Sequence, residues 1–407
     1  MPDPDEDPSA AEGSRARAVG PARAGGDREP SAPPAGAPAA GSGADGASPS
    51  DTASPAAPVS PWVPDAARAR LVALLAALEG AERLFVVTHD NPDPDALASA
   101  AALAFLLREL EGMSPTVLFG GIVGRAENRQ LLQELDVEFA RMEETEIPTG
   151  IALAMVDTQP RAGNNSLPAG RIVSAVIDHH PPRPDSAATT FADLRPEFGA
   201  SGSMLVEYLR AADLEPEPWL ATALFYAIQT ETMDLGREAS AHDVEASMFL
   251  YPRSDPAGVS RIKHARVPAS YFRTMHEAVA VARKHGRVVA IPLGLLAYPD
   301  MVAEIADEFL QMQGVDWTVA LGRYRDRLLI SVRAHDTTAH AGTRVREAIG
   351  ERGSAGGHGT FAGGQIDLRG KSETEIEALR RDVLGDLLRA LDADPDVSEA
   401  LIPEPEA

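Results

Sequence analysis

Residues 84–95 read Leu-Phe-Val-Val-Thr-His-Asp-Asn-Pro-Asp-Pro-Asp, an apolar run that passes directly into a cluster of His, Asp and Pro. Leucines at helical spacing precede this run in residues 66–78, and an Ala- and Leu-rich segment follows it to about Glu111. Helix, strand and helix in this order are typical of a mostly parallel sheet with helices on both faces. We therefore predict an α/β fold.

Further short apolar strands are predicted at 116–119, 151–156 and 172–177. The last two also end in polar residues, Asp157 and Asp178. In open α/β sheets, ligands bind beyond the carboxyl ends of the strands. We therefore expect a functional site where these polar clusters meet.

The rest of the chain predicts helices followed by a second set of strands. Helical pattern continues to about His285, and the remaining predictions are helices at 201–212 and 219–230 and strands at 287–292, 317–322 and 328–333. Residues 353–364 contain too much glycine for regular structure, so we predict a loop there. A capping box of Ser372 and Glu375 then predicts the start of a helix.

These patterns predict two domains with tails. The segments are a disordered Ala-, Pro-, Gly- and Ser-rich tail at 1–60, an α/β domain at 61–255, a helical linker at 256–286, a smaller α/β domain at 287–391 and a frayed acidic tail at 392–407.

Composition excludes several classes of function. The 407 residues contain 61 Asp and Glu against 37 Lys and Arg, a net charge of −24, which argues against broad binding of duplex DNA. No cysteine is present, so metal or catalytic chemistry must use Asp, Glu, His or Ser. No apolar run reaches the roughly 18 residues of a membrane span, so we expect a soluble cytoplasmic protein without a membrane partner.

The first polar cluster contains His89, Asp93 and Asp95. Because Pro94 disfavours α-helical geometry at Asp93, that residue is predicted to be extended, and the side chains of Asp93 and Asp95 can converge. Asp95 also precedes an Ala-rich helix, so an N-cap role is an equally good interpretation of that residue alone.

The other clusters are Asp157 and the adjacent Asp178, His179 and His180. Asp157 alone is explained as well by a turn cap at a strand end. Two neighbouring histidines are uncommon in a core because each imidazole needs its own partners. Taken together, the clusters predict a mixed oxygen and nitrogen site suited to manganese, magnesium or zinc, with enough aspartates to bridge two ions.

In this combination and order, the motifs resemble those of the DHH phosphoesterase superfamily, named for the sequence found here at 178–180, over roughly residues 83–367. The chain is most similar to its NrnA-like, RecJ-related bacterial members, which hydrolyse short oligoribonucleotides and phosphoadenosine phosphate. The resemblance implies a doubly wound, mostly parallel DHH domain joined by helices to a smaller α/β DHHA1 domain.

The resemblance also implies two bound divalent cations, manganese with magnesium as the alternative. The implied metal ligands are His89, Asp93, Asp95, Asp157 and His179, with Asp157 as a bridging and catalytic residue. His180 is then the catalytic residue that faces the substrate phosphate, and Asp178 supports the histidines.

A fourth motif of the superfamily is usually Thr-Asp-Thr-Gly, and residues 230–233 here read Thr-Glu-Thr-Met. Glu231 therefore takes the place of the implied ligand with one additional methylene. Asp234 is the alternative, about one helical turn later. Arg237 and Ser240 are candidates for phosphate contacts.

In the second domain, Gly356, Gly357 and His358 resemble the superfamily's Gly-Gly-His-x-x-Ala-Gly loop, with one inserted position before the Ala-Gly pair. The resemblance implies that His358 and the glycine amides bind the distal nucleotide or phosphate. Arg333 stands where the superfamily often has a phosphate-binding arginine, although without that resemblance a surface charge on an edge strand explains it equally well.

These observations predict a manganese-dependent phosphoesterase, an oligoribonuclease or exonuclease that acts on short single-stranded oligonucleotides, dinucleotides or phosphoadenosine phosphate through water activated by two metals. Two alternatives stay open. One is an inorganic pyrophosphatase or polyphosphatase, and the other is a nucleotide-binding regulatory module weakened at the second metal by Glu231.

Overall fold

The computed structural model describes residues 62–236, 239–336 and 338–402, without the side chains of residues 187 and 358. The predicted tail at 1–60 lies outside these residues. The described residues form two sheets. Within them, no helix has the length and apolar content needed to cross a bilayer. The predicted domain boundaries stay predictions.

The first sheet has six strands, all parallel to their neighbours. In chain order they are β1 (Leu84–Val87), β2 (Thr116–Phe119), β3 (Phe139–Arg141), β4 (Ala152–Val156), β5 (Ala175–Asp178) and β6 (Phe191–Leu194). Across the sheet the order is β3-β2-β1-β4-β5-β6, so β1 and β4 are central. The predicted mostly parallel α/β fold is therefore confirmed.

Six helices accompany this sheet, and their buried apolar side chains form one hydrophobic cluster with one face of it. They are α1 (Pro64–Leu78), α2 (Pro94–Glu111), α3 (Ala126–Glu134), α4 (Ser201–Ala211), α5 (Pro218–Glu231) and α6 (Ala241–Leu250). The other face packs against Met142, Ile147 and Val173, which lie between the strands along the chain. In β1, Leu84 and Val86 pack into one hydrophobic cluster, while Phe85 and Val87 pack into another. Burial on both faces explains why this strand reads as an uninterrupted apolar run.

Two helices and the second sheet follow. The helices are α7 (Pro256–Lys263) and α8 (Ala269–Val281), and the strands are β7 (Arg283–His285), β8 (Val288–Leu295), β9 (Trp317–Tyr324), β10 (Arg327–Ala334), β11 (Ser354–His358), β12 (Phe361–Asp367) and β13 (Glu399–Ala400). This sheet is mixed, because β8 and β9 are parallel whereas the other pairs are antiparallel. Its order is β11-β12-β10-β9-β8-β7-β13.

Helices cover both faces of the second sheet. They are α9 (Met301–Leu310), α10 (Ala341–Ile349) and α11 (Glu373–Ala390). Side chains of α9 share a hydrophobic cluster with Ile291 of β8, whereas those of α10 and α11 share another with Ile330 of β10. The predicted capping box of Ser372 and Glu375 is confirmed at the start of α11.

Three expectations for this region are wrong. Helical structure ends at Val281, and His285 lies in β7. The predicted glycine loop at 353–364 is instead largely the hairpin of β11 and β12. The predicted frayed tail contains β13, which pairs with β7. Short polar strands carry too few apolar residues to produce a recognisable pattern.

Helix α10 packs closely against the hairpin at a glycine of its own. A Cβ atom at Gly342 in α10 would lie 1.8 Å from the carbonyl oxygen of Gly357 in β11. Helix and strand backbones therefore approach each other more closely than side chains would allow. This approach makes a glycine-rich strand compatible with a packed domain.

Candidate metal centre

Asp157 lies at the carboxyl edge of the first sheet, immediately after β4, and is 2% exposed. Its φ of 58° lies in the left-handed region, and its amide donates to the carbonyl of Ile177 at 3.0 Å. The two carboxylate oxygens face different partners. Oδ2 is 3.5 Å from His89 Nε2, and Oδ1 is 3.5 Å from His179 Nε2. Asp157 therefore joins two groups of potential ligands.

The first group consists of His89, Asp93 and Asp157, whose ligand atoms lie within 4.8 Å of one another. His89 Nδ1 is 2.9 Å from the carbonyl oxygen of Asp90, and this contact requires a proton on Nδ1 because a carbonyl only accepts. Nε2, which lies 3.6 Å from Asp93 Oδ1, is the remaining ring nitrogen available to a cation.

The second group consists of Asp157, His179 and His180. His179 Nδ1 donates to the carbonyl of Phe198 at 3.2 Å, so its Nε2 also points toward Asp157. His180 Nδ1 lies 2.8 Å from Asp178 Oδ1, and the His180 side chain is 41% exposed. Burial lowers the pKa of His180, but the hydrogen bond to Asp178 and the nearby carboxylates outweigh this effect and raise the pKa to about 9.

Asp93 and Asp95 have different local roles. Asp93 is extended, as predicted, and it caps α2 by accepting from the amide of Ala96 at 3.0 Å. The alternative that Asp95 is the N-cap is therefore wrong. Asp95 lies in the first turn of α2 and accepts from the amides of Ser201 and Gly202 at 2.7 and 2.8 Å.

The pKa values of these carboxyls shift in opposite directions. Burial and the neighbouring charge of Asp157 raise the pKa of Asp95 well above its usual value, and Glu231 adds to this effect. For Asp93, burial is outweighed by His89, which lowers the pKa. A surplus of buried negative charge beside Asp95 is the condition that a bound cation would relieve.

Glu231 is the last residue of α5. Its charge raises the pKa values of both Asp95 and His180, so it lies within electrostatic reach of the cluster, although it belongs to neither group. Asp234 is exposed, and its Oδ2 lies 3.8 Å from Lys263 Nζ. Position and charge therefore favour Glu231 over Asp234 as the additional ligand.

Sequence reasoning missed Gln159, which is 1% exposed and holds Asp178 in place. Its Nε2 donates to Asp178 Oδ2 at 2.7 Å, and its Oε1 accepts from the amide of Arg183 and the hydroxyl of Ser186, both at 2.8 Å. The one available signal is its place two residues after Asp157, at the end of a buried strand.

The connection that leads into α4 was also missed. Phe198 accepts from His179, Ser201 and Gly202 donate to Asp95, and the Ser201 hydroxyl donates to Asp157 Oδ1 at 3.0 Å. Asp243 of α6 fixes this connection from behind, because it accepts from Gly199 N at 2.8 Å and from Ser203 Oγ at 2.6 Å. Such contacts between distant segments leave no pattern in the sequence.

The predicted substrate residues of the second domain belong to neither ligand group. Arg333 Nε donates to Asp307 Oδ1 at 2.5 Å. Gly356 and Gly357 lie in β11, and His358 is its last residue. The side chain of His358 and the whole of Arg237 lie outside the described residues.

Asp307 of α9 also accepts a hydrogen bond from the part of the chain that contains the first sheet. Arg125, which precedes α3, donates from Nη2 to Asp307 Oδ2 at 3.2 Å, and its Nε lies 3.9 Å from Glu304 Oε1. Burial raises the pKa of Glu304 to about 7 and that of Asp300 to about 6. The charges of His89 and Asp93 also affect the pKa of Asp300, so the start of α9 lies near the first ligand group.

The donor set fits divalent cations. Imidazole Nε2 atoms and carboxylate oxygens converge from separate segments, and each of the two Nε2 atoms is oriented by a hydrogen bond from Nδ1 to a carbonyl. Such orientation of the distal ring nitrogen is typical of histidines that bind metals.

Comparison with protein families identifies this part of the chain. The model described as DHH family, N-terminal domain, matches residues 83–228, which include both ligand groups. Residues 83–228 therefore match a DHH domain, and the resemblance to the DHH superfamily is confirmed over this part of the chain.

Two curated relatives match a longer part of the chain than the family model does. An uncharacterized protein of Methanocaldococcus jannaschii is 33% identical over 301 residues, or 73% of this chain and 61% of that protein. A probable manganese-dependent inorganic pyrophosphatase of Deinococcus radiodurans is 33% identical over 184 residues, 44% of this chain and 56% of that one. The chain thus spans about three fifths of these two relatives.

Two further matches cover most of the other protein. The bifunctional oligoribonuclease and PAP phosphatase NrnA of Thermus thermophilus is 25% identical over 332 residues, 78% of this chain and 94% of NrnA. The crystal structure of an exopolyphosphatase-related protein from Bacteroides fragilis aligns with a TM-score of 0.57 at 15% identity, covering 80% of this chain and 98% of that one. The latter match shows a shared fold for the DHH domain and the second sheet.

Proposed function

We propose that this chain is a manganese-dependent phosphoesterase that hydrolyses short oligonucleotides, dinucleotides or phosphoadenosine phosphate. The Asp157 carboxylate carries the proposal, because Oδ2 faces His89 of the first ligand group and Oδ1 faces His179 of the second. A single carboxylate shared by two ligand groups is suited to a pair of cations. Similarity to a probable manganese-dependent enzyme and to NrnA supports both the metal and the chemistry.

The proposed metal ligands share a position at the carboxyl edge of the first sheet. They are His89, Asp93, Asp95, Asp157, His179 and Glu231. We favour manganese over magnesium because a similar protein is a probable manganese-dependent enzyme and because magnesium is bound mainly through oxygen, whereas imidazole nitrogen is present among these donors. When bound, two such cations lower the pKa of a water molecule and stabilise the charge that develops during in-line attack at phosphorus.

His180 is proposed to contact the substrate phosphate. Its Nδ1 is occupied by Asp178, which leaves Nε2 for a phosphate oxygen or for the leaving oxygen. Gln159 fixes Asp178 and thereby limits the rotation of the His180 ring. The partial exposure of His180 is consistent with access to substrate.

Binding of the distal nucleotide is assigned to Arg333, Gly356, Gly357 and His358, with Arg237 as a further phosphate contact. The NrnA match supports this assignment because it covers 78% of this chain and so extends beyond the DHH domain. We expect His358→Ala to raise KM about fivefold while lowering kcat less than twofold. A lower kcat with unchanged KM would contradict a role in substrate binding.

Hydrolysis of inorganic pyrophosphate or polyphosphate is the second candidate. The relative from Deinococcus radiodurans favours it, since that protein is a probable inorganic pyrophosphatase. That match covers 44% of this chain, however, whereas the NrnA match covers 78%. The broader coverage favours a nucleotide substrate. Cytoplasmic location stays a prediction from sequence.

A substrate panel tests the proposal. The full chain is assayed with manganese or magnesium against an RNA dinucleotide, phosphoadenosine phosphate, pyrophosphate and a chromogenic phosphodiester, and calorimetry gives the number of manganese ions bound. We expect turnover of the first two substrates and two ions per chain. Turnover of pyrophosphate alone supports the second candidate, and nucleotide binding without turnover supports a regulatory module.

A further inference from the structure

A cavity of about 440 Å³ lies between α3 and the end of α7. Its polar lining consists of Arg129, Gln130, Gln133, Arg261, His264 and Arg266. Among the described residues, no carboxylate belongs to this lining, and Glu134 contacts two of its members, Gln130 and Arg261. The volume falls within the range of small-molecule sites, roughly 300–1,000 Å³.

This lining contrasts with the composition of the chain. Asp and Glu number 61 and Lys and Arg number 37, so a wall with three arginines and no acid differs in sign from the protein as a whole. A concave surface of one sign concentrates ions of the opposite sign. The expected ligand is therefore an anion.

The arginines are able to accept such a ligand. Arg129 donates to the carbonyl of Gly124, which is a neutral partner. Arg266 is exposed and forms no ion pair with any residue in the described ranges. Arg261 pairs with Glu134 and Asp255 at 3.3 and 3.4 Å, but its side chain is 53% exposed, and exposed ion pairs are weak enough to be exchanged.

The two helices that line the cavity also contact segments that carry proposed metal ligands. Asn128 in α3 contacts the carbonyl of Pro92, between two of the proposed ligands, at 3.5 Å. Lys263 at the end of α7 lies 3.8 Å from Asp234, three residues after Glu231. Helices α3 and α7, which form the two sides of the cavity, thus each contact a segment that contains proposed metal ligands.

We propose that this basic pocket binds the phosphate groups of a single-stranded oligonucleotide beyond the phosphate that is cleaved. Guanidinium groups suit this ligand because their donors match phosphate oxygens in pairs. The pocket would favour oligonucleotides longer than a dinucleotide. This inference rests on the proposed phosphoesterase function and adds a determinant of substrate length.

The test compares Arg129→Gln/Arg266→Gln with the control Arg346→Gln/Arg381→Gln, which removes two exposed arginines from α10 and α11. The first readout is binding of a fluorescein-labelled RNA tetranucleotide to the full chain in EDTA, followed by fluorescence polarisation at several salt concentrations. We expect about a tenfold weaker Kd and a shallower salt dependence, by about 0.7 per lost phosphate contact, for the pocket variant alone.

The second readout is the ratio of KM for the tetranucleotide to KM for the dinucleotide. The pocket variant is expected to raise this ratio about tenfold, because only the longer substrate has phosphates beyond the cleaved one.

Unchanged Kd, salt dependence and KM ratio in the pocket variant overturn the proposed pocket, while turnover by the parent still supports the proposed function. If the parent hydrolyses neither oligonucleotide, the proposed function is wrong, but the binding measurement in EDTA still shows whether the pocket binds the tetranucleotide. Arg266→Gln alone replaces the double variant if thermal melting shows that the latter is destabilised.

Discussion

The first sheet places functional side chains at the ends of buried parallel strands, whereas the second sheet carries its Gly-Gly-His motif in an antiparallel hairpin. In the first, β1, β4 and β5 change from apolar to polar residues at one edge, so the strand ends mark the site. In β11, glycine removes the side chains that would reveal a strand. The proposed role of the first region therefore depends on charged side-chain atoms, whereas the structure of the second depends on backbone conformation.

The largest expected effect is on the charged atoms of the first sheet. Asp157→Asn should lower kcat at least about 1,000-fold, because the asparagine amide has a single uncharged oxygen and so cannot bind a cation on each side as the carboxylate would. Folding should persist, since asparagine also tolerates the left-handed region. Steady-state kinetics and circular dichroism provide the measurement.

Asp213→Asn is the matched control, because Asp213 also has positive φ, at 55°, but its side chain is 81% exposed. The control should retain parental activity. Activity of Asp157→Asn within about tenfold of the parent would contradict the shared-carboxylate mechanism.

Backbone shape in the second sheet is tested by Gly357→Ala. Gly357 has φ of +136°, and a Cβ atom there would lie 2.3 Å from the carbonyl oxygen of Phe361. We expect the free energy of unfolding to fall by about 2 kcal/mol and Tm by about 4–8 °C. Gly356→Ala, where a Cβ atom meets nothing within 4 Å, should change Tm little. Equal Tm values for the two variants would remove the requirement for glycine at 357.

The support behind the metal ligands is tested by Asp243→Asn. Asp243 is fully buried and fixes Gly199 and Ser203, on either side of the groups that contact the ligands. Loss of one acceptor oxygen should loosen this connection and weaken manganese binding about tenfold, as measured by calorimetry. Asp193→Asn is the control, because Asp193 is also buried but accepts from Tyr208 at 2.7 Å. Equal manganese affinity in both variants would limit Asp243 to a general structural role.

The smallest effect is expected at Glu304 of α9, which lies beside Arg125 from the connection before α3. Burial raises its pKa from 4.5 to about 7, so the protonated side chain favours the folded state. This contribution is complete below about pH 4.5 and is lost as the pH rises through about 7. Glu304→Gln keeps a neutral side chain at every pH, and the decrease in Tm between pH 5 and pH 8 should shrink by about 2–4 °C. An unchanged pH dependence would show that Arg125 keeps Glu304 charged.

The sequence was informative wherever burial on both faces produced long apolar runs. The strand at 116–119 was predicted with its observed bounds, and the parallel arrangement followed from alternation with helices. The short edge strand β3 and the polar helix α3 were missed. In α3, Leu131 is fully buried while most neighbouring positions are polar, so the apolar face is too narrow to indicate a helix.

The proposed ligands were found because each follows a strand or stands in a short motif. The residues that orient them were not found, because Gln159 and Asp243 act across 19 and 44 positions of the chain. Their function exists only through tertiary contacts, for which a single sequence contains no periodic signal. Local pattern thus predicted the proposed ligands and missed the residues that hold them in place.

The left-handed backbone at Asp157 limits which residues evolution can try there. Among amino acids with a side chain, aspartate and asparagine adopt this conformation most readily, and asparagine lacks the charge. Glu231 ends a helix, where an additional methylene brings no such conformational penalty. The backbone therefore restricts the choice of residue more strongly at position 157 than at position 231.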